Sequence, residues 1–183
     1  EGSGAGDDFL ADLVQQWEAA AAPAADAGIR VAYARTGLVL SGTGGLLKPL
    51  LPLFKLGLGG RLGTGRQWFS WITIDDEVAA IRHLLDTDGL EGPFNLTAPH
   101  PVTNAEFTKT MGTVLGRPTI LPIPSFGPRL LFGKEMAELT AFVSQRVRSD
   151  KLVGSGFAFG QVDLEPALRH VLDRPAPAAG AAA

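Results

Sequence analysis

Apolar residues recur at helical spacing through Phe9, Leu10, Leu13, Val14 and Trp17, behind Asp7 or Asp8, either of which can cap the first turn. The spacing predicts a helix that fades near Pro23. From Ile29 the period drops to two: Ile29, Val31 and Tyr33 alternate with Arg30, Ala32 and Ala34, which predicts a strand. A helix leading into a strand suggests an αβ unit of a larger sheet. After Arg35-Thr36-Gly37 and a glycine-rich loop from Ser41 to Gly45, residues 46–58 are dense in Leu and Phe but broken by Pro49 and Pro52, which reads as a short, irregular buried helix.

Glycines 57, 59, 60, 63 and 65 punctuate the next stretch, and Phe69 to Ile74 reads as a strand. Asp75, Asp76 and Glu77 supply the acidic first turn that a helix dipole favours, with Val78, Ile81 and Leu85 as that helix's apolar stripe. Pro93 to Leu96 is a further strand. Thr103 and Glu106 make a capping box ahead of Phe107, Met111, Val114 and Leu115, and Gly116 and Pro118 stop that helix. Ile120 to Ile123 reads as a strand. Helical spacing follows at Phe126, Leu130 and Leu131, then at Met136, Leu139, Phe142 and Val143, and Asp163 caps a last helix through Leu164, Leu168 and Leu172. The Pro/Ala-rich end has little to bury and is expected to be disordered. No repeat with a period of ~20–50 residues is visible.

Composition narrows the functional classes. With 183 residues, 45% of them hydrophobic, the chain has material for one core. Sixteen basic and 19 acidic residues give a net charge of −3, and no basic tract could follow a phosphate backbone, which argues against nucleic acid as a partner. Without cysteine there is no disulfide or thiolate metal site, so a reducing cytoplasm is the default expectation. The longest apolar run is shorter than the ~20 residues of a membrane span and contains two lysines, and the first residues do not resemble a signal peptide, so no membrane attachment is expected.

The search for chemistry yields little. His83, His100 and His170 lack metal-ligand spacing, so no metal is expected. There is no Gly-x-Ser-x-Gly elbow, Walker lysine loop or Gly-x-Gly-x-x-Gly fingerprint to cradle a pyrophosphate. Tyr33 lies in a strand pattern with Gly37 four residues on, so it is no Tyr-x-x-x-Lys acid and reads as a packing aromatic. The informative block runs from Gly63 to Asp76. Its Arg66, Gln67, Trp68 and Trp71, beside flexible glycines, could clamp a planar or anionic ligand, because indoles stack and guanidinium pairs with anions. Packing competes with that reading for Arg66 and Gln67 and is favoured for Trp71; Asp75 and Asp76 read mainly as a helix start.

Several spaced motifs together point to a family: Arg35-Thr36-Gly37-Leu38-Val39-Leu40, Gly44-Gly45, Pro52-x-Phe54-x-Leu56-Gly57-Leu58-Gly59-Gly60, Gly63-x-Gly65-x-Gln67-x-x-x-Trp71-Ile72-x-Ile74-x-Asp76 and Gly92-Pro93-x-Asn95. They resemble the atypical extended short-chain dehydrogenase/reductases, specifically the group called epimerase family or nucleoside-diphosphate-sugar epimerase-like. Gly116-Arg117-Pro118, Leu121-Pro122-x-Pro124, Gln145-Arg146-Val147, Gly156-Phe157-x-Phe159 and Asp163-Leu164-x-x-Ala167-Leu168 are similar to that group's C-terminal module of unknown function. The likeness runs from about Asp8 to Leu172.

The resemblance implies an α/β fold: the C-terminal part of an NAD(P)-binding, Rossmann-like extended short-chain dehydrogenase/reductase, with the N-terminal Rossmann strands and their NADP(H) fingerprint absent from this chain. It divides the chain into a last Rossmann-type unit with substrate-binding region (1–116), a helical module (117–172) and a disordered tail (173–183). Arg35, Thr36, Gly37, Leu38 and Val39 would approach the nicotinamide end of NADP(H), largely through backbone groups, and Gly44, Gly45, Gly65, Arg66, Gln67, Trp68 and Trp71 would wall the substrate cleft. The arginine that grips a diphosphate in sugar-nucleotide epimerases aligns with Phe69. Asp8-Phe9-Leu10-Ala11-Asp12 carries neither the Tyr nor the Lys of typical members. The implied function is the substrate-binding portion of an NADP(H)-dependent epimerase or reductase acting on a small molecule, expected to be inactive and without cofactor on its own. The alternative is a non-catalytic binding or regulatory protein, like relatives associated with cell and organelle division. An unpartnered sheet edge and first helix would favour self-association or a protein partner.

Overall fold

The computed structural model describes residues 1–4, 6–120, 123 and 144–175. Helix α1 (Phe9–Ala19) starts where Asp8 accepts the Ala11 amide at 2.9 Å. It does not fade toward Pro23. It stops before a short helix α2 (Ala22–Asp26), whose first turn holds Pro23, a position where the missing N–H costs nothing. No α1 residue is buried, and Glu18 anchors it to Arg35 through two bonds of 2.7 and 2.8 Å.

Strand β1 spans Ala32–Thr36, three residues later than the alternation predicts. Its parallel partner β5 (Gly92–Leu96) begins opposite Ala32, so Ile29 and Arg30 meet no partner strand, Val31 offers only its carbonyl to the Gly92 amide (2.8 Å), and Ile29 is 62% exposed. Arg30 instead reaches the carbonyls of Leu84 (2.8 Å), Leu85 (2.9 Å) and Leu90 (2.7 Å), closing the carboxyl end of helix α4 (Ile74–Asp86) with a cation that suits its dipole.

At Gly37 the strand changes neighbours. The Gly37 amide bonds Leu96 O at 3.0 Å; the next, Leu38, bonds Ser70 O at 2.8 Å. Strand β2 (Leu38–Leu40) then runs parallel to β4 (Trp71–Thr73). A Cβ at Gly37 would lie 2.5 Å from Ser70 O and 2.6 Å from the Thr97 methyl, so only glycine fits the crossover. Strand β3 (Trp68–Phe69) pairs antiparallel with β6 (Val102–Thr103). The strand read over Phe69 to Ile74 is thus broken at Ser70, and Ile74 belongs to α4.

Helix α3 (Leu47–Lys55) buries Leu47, Leu51 and Phe54. In α4 the expected stripe is out of phase: Val78, Ile81 and Leu85 face outward, Leu85 at 69% exposure, while Asp76, Glu77, Ala80 and Leu84 face the core. Asp76 explains this inversion. Its carboxylate accepts the amides of Gly160 (2.7 Å) and Gln161 (3.0 Å) and the Thr73 hydroxyl (3.0 Å), tying α4 to the chain beyond residue 155.

Helix α5 (Asn104–Leu115) has the full Thr103/Glu106 capping box and ends on left-handed Gly116. Residues 144–149 pass along the sheet: Ser70 Oγ donates to Gln145 O (2.9 Å) and accepts the Val147 amide (3.0 Å). Helices α6 (Asp150–Gly154) and α7 (Leu164–Val171) complete the fold. Leu152 joins a core of Ile72, Ala80, Leu84, Phe94 and Leu96; Leu164, Ala167 and Leu168 join a second with Leu40, Leu47, Trp71, Phe107 and Met111. The described part of 117–172 therefore buries its side chains in the same cores as 1–116. Asp163 precedes α7 but makes no capping bond, because its carboxylate is bonded to His100 Nδ1 at 2.8 Å.

The strand read at 120–123 reduces to one bridge between Ile123 and Leu62; Ile120 is 87% exposed, and Leu121 and Pro122 lie outside the described residues. So do the helical positions Phe126 to Val143, Pro124 of the Leu121-Pro122-x-Pro124 motif, and the expected tail beyond residue 175. No described helix is long and apolar enough to cross a membrane. Replacing Asp76 with Ala would leave two amides and the Thr73 hydroxyl without their acceptor, so Asp76→Ala is predicted to destabilise by about 2–4 kcal/mol, read as a lower urea midpoint; a loss under about 1 kcal/mol would contradict the assigned role.

Candidate functional site

Ligands of α/β sheets bind at the carboxyl ends of the strands, and most of the candidate side chains gather there. Thr36 closes β1, the Ser41–Gly45 loop follows β2, α4 begins directly after β4, and Thr97 follows β5.

Thr36 is exposed, and its Oγ donates to Glu77 Oε1 at 2.7 Å. Glu77, read from the sequence only as part of an acidic turn, is 6% exposed, and its Oε2 has no hydrogen-bond partner among the described residues; neither has the buried Thr97 Oγ. Burial pushes the Glu77 carboxyl above the usual carboxylate range, and the Thr36 bond opposes that rise only in part. Elsewhere the usual lowering holds: the bond to Arg35 lowers Glu18, and the backbone and hydroxyl of Thr103 lower Glu106.

The other residues placed by resemblance at the cofactor side divide differently. Arg35 is bonded to Glu18 through Nε and Nη2, and the amides of Gly37 and Leu38 are bonded to the carbonyls of Leu96 and Ser70. Val39, half-buried, pairs with Ile72 in the β2–β4 ladder.

Of the cleft candidates, Gly44 faces open space, whereas Gly45, in the left-handed region, bridges back to Leu40. Gly65 is buried against Ala105, and Gln67 is buried with its amide on Leu62 O at 3.1 Å. Together with Asn104, which accepts the Leu62 amide at 2.7 Å, they tie the glycine loop to the start of α5. Arg66 is exposed at the loop's edge. Trp71 is fully buried with its indole N–H on His100 O at 3.1 Å; with no surface to offer a ligand, it is a core residue. Trp68 is half-buried under the guanidinium of Arg146, 4.6 Å from the ring centroid. Arg146 was singled out only within the Gln145-Arg146-Val147 motif, and no local spacing links it to Trp68.

The helix starts at this end differ in charge. Helix α4 opens with Asp75, Asp76 and Glu77, whereas α3 opens without an acid or a side-chain cap and carries Lys48 in its first turn. The three histidines are apart: His83 bonds Ser155 (2.9 Å), His100 Asp163 (2.8 Å) and His170 Asp75 (2.8 Å). No cluster of three potential metal ligands occurs among the described residues. A groove of about 340 Å³ lined by Leu90, Glu91, Phe94, Lys151 and Ser155 lies at the opposite end of β5; there Lys151 Nζ is already engaged by the Glu91 and Pro93 carbonyls.

Comparison with known proteins adds the following. Residues 123–171 match a family model described as a domain of unknown function, DUF1731. An epimerase family protein of Mycobacterium bovis is 46% identical over 175 residues, covering 96% of this chain and 58% of the relative. The crystal structure of human epimerase family protein SDR39U1 with NADPH superposes with a TM-score of 0.86 at 35% identity, over 94% of this chain and 58% of that one. UDP-glucose 4-epimerase of Thermus thermophilus in complex with NAD superposes at 0.66 with 19% identity, a likeness of fold alone. The α/β fold is therefore that of the Rossmann-like epimerase structures, and the chain spans a little over half the length of the relatives it matches.

A carboxyl raised by burial favours folding where both states are protonated and loses that advantage as pH rises from the usual carboxylate range through the raised folded value. The stability difference between wild type and Glu77→Gln should therefore shift against the wild type as pH rises across that window. Urea unfolding at a series of pH values checks this, and a difference independent of pH contradicts it.

Proposed function

The chain belongs to the epimerase family, and on that premise we propose that it forms the substrate wall and the nicotinamide-side corner of an NADP(H)-dependent epimerase or reductase. The observation that carries this reading is the exposed residue Thr36 at the carboxyl end of β1, its hydroxyl bonded to buried Glu77, followed by the Ser41–Gly45 loop. The human relative whose structure contains NADPH supports the choice of cofactor.

The described residues fit the two ends of such a cofactor unequally. A reduced nicotinamide, which would supply hydride, can meet Thr36 and the loop after β2. A pyrophosphate would meet Asp75 and Asp76 at the start of α4, where like charge opposes it. Its phosphates therefore belong with polypeptide packed along the edge of β1 that β5 leaves free, against the exposed Phe9, Leu13 and Trp17 of α1 and Val78 and Leu85 of α4. Two parallel strands with such uncovered apolar surroundings are unusual, since parallel sheets are ordinarily covered on both faces. On the substrate side, the acid-free start of α3 and the Arg146–Trp68 stack suit a substrate with an anionic group; a nucleotide sugar is the member of that class the family name suggests.

A second reading, a binding protein without turnover, is favoured by α1, which exposes Trp17 at 77% and carries neither the Tyr nor the Lys of typical members. Nicotinamide fluorescence separates the two. With contacts confined to one end of the cofactor, the chain should bind NADPH weakly, with a dissociation constant of about 1 mM. No signal at several times that concentration would overturn the cofactor reading, and micromolar binding would overturn the placement of the phosphate grip outside these residues.

A further inference from the structure

We propose that Thr36 and Glu77 form a proton-donating pair in which the Thr36 hydroxyl gives its proton to the oxygen of a carbonyl-bearing substrate and is resupplied by Glu77. The argument begins with what Glu77 lacks. At 6% exposure, with one oxygen on Thr36 at 2.7 Å and the other without a partner among the described residues, an ionised carboxylate would keep a single hydrogen bond in place of its hydration shell.

No neighbouring charge among the described residues repairs this. In the same turn Asp75 is bonded to His170 and Asp76 to two amides and Thr73. On β1 the guanidinium of Arg35 is bonded to Glu18; β2 and β4 bring Leu38, Val39, Leu40, Trp71, Ile72 and Thr73 to α4, and the core on its inner face adds Phe94, Leu96, Leu152, Phe157 and Phe159, all uncharged. The neutral acid resolves the difficulty: with its proton on Oε1, Glu77 would donate across the 2.7 Å contact in which an ionised carboxylate accepts from Thr36, and only a carbonyl-type oxygen would stay unpaired. The Thr36 proton is then free to point outward, on an exposed residue at the end of the strand where ligands bind.

This assignment rests on the nicotinamide reading above. A reduced nicotinamide bound there would supply the hydride to the carbonyl carbon; the chain's own part would be to protonate the oxygen as the C=O electron pair moves onto it, Thr36 Oγ giving its proton and taking that of Glu77, which solvent would later reprotonate. Thr36 is the catalytic group, and Glu77 acts through it as a positioning residue and proton store. The pair would serve where the chain's one tyrosine, Tyr33, sits half-buried in β1.

Two measurements test the pair. In carbon-13 spectra of side-chain-labelled glutamate, one carboxyl should titrate above the ordinary range, vanish in Glu77→Gln, move higher in Thr36→Val and hold its place in Thr36→Ser; glutamates that all titrate in the ordinary range would overturn the proposal. With NADPH near saturation and phenanthrenequinone as carbonyl probe, Thr36→Val should lower kcat by about 100-fold, with Thr36→Ser near wild type, and the wild-type rate should fall with rising pH along the Glu77 titration. An unaltered kcat in Thr36→Val overturns the proton pair alone, as do glutamates that all titrate in the ordinary range, whereas the absence of any nicotinamide fluorescence change on adding NADPH counts against the nicotinamide reading beneath it.

Discussion

A side chain at residue 37 cannot coexist with the rest of this fold. The strand that pairs with β5 through Thr36 must reach β4 from Leu38 onward, and the Ser70 carbonyl that receives it lies 2.5 Å from where a Cβ would stand. Ser70 serves the other side as well, since its hydroxyl holds residues 145 and 147. One crossover therefore sets the direction of β1, the exit of β2 and the path of the C-terminal chain. It also puts Thr36, the last residue before it, at an open strand end beside the first turn of α4.

The same crossover decides which polar groups remain for chemistry. The Gly37 and Leu38 amides are used in making it and Arg35 in holding α1, while the Thr36 hydroxyl between them is bonded to Glu77 instead of to the backbone. Burial of Glu77 behind that hydroxyl follows from Asp76. Once Asp76 is turned inward to hold the Gly160 and Gln161 amides, its neighbour is carried under β1 with it, because successive helical residues are separated by only about 100° around the axis.

How much of this was readable without coordinates differs by element, for physical reasons. The α5 boundaries were legible because the capping box and the left-handed glycine are local signals with short-range causes. The phase of α4 was not. Val78, Ile81 and Leu85 make a better apolar stripe than Ala80 and Leu84 flanked by two acids, and only the partner some 84 residues away makes Asp76 an inward-facing residue. Strand β2 was hidden because its three residues lack alternation, as expected where both faces are covered. Among the cleft candidates, Gly65 and Gln67 share their residue types with ligand-binding loops, yet here they fasten a loop to α5. Arg146 carries no local mark of its stack on Trp68, a contact made across 78 positions.

Helix α4 thus presents two stripes with opposite logic. The inward one is partly charged and specific, every oxygen of Asp76 being matched to a donor, and it fixes one arrangement of sheet and C-terminal chain. The outward one is apolar and unspecific, and α1 likewise buries nothing of its own. A helix of 11 residues held by one half-exposed ion pair gains too little from that contact, worth at most about 1 kcal/mol, to offset the nucleation cost of a short helix in water. Covering Phe9, Leu13 and Trp17 would therefore add to the stability of α1 and, through Glu18, to that of the Arg35 side of the corner where Thr36 lies. Order at the candidate site and coverage of the apolar face are two readings of the same coupling.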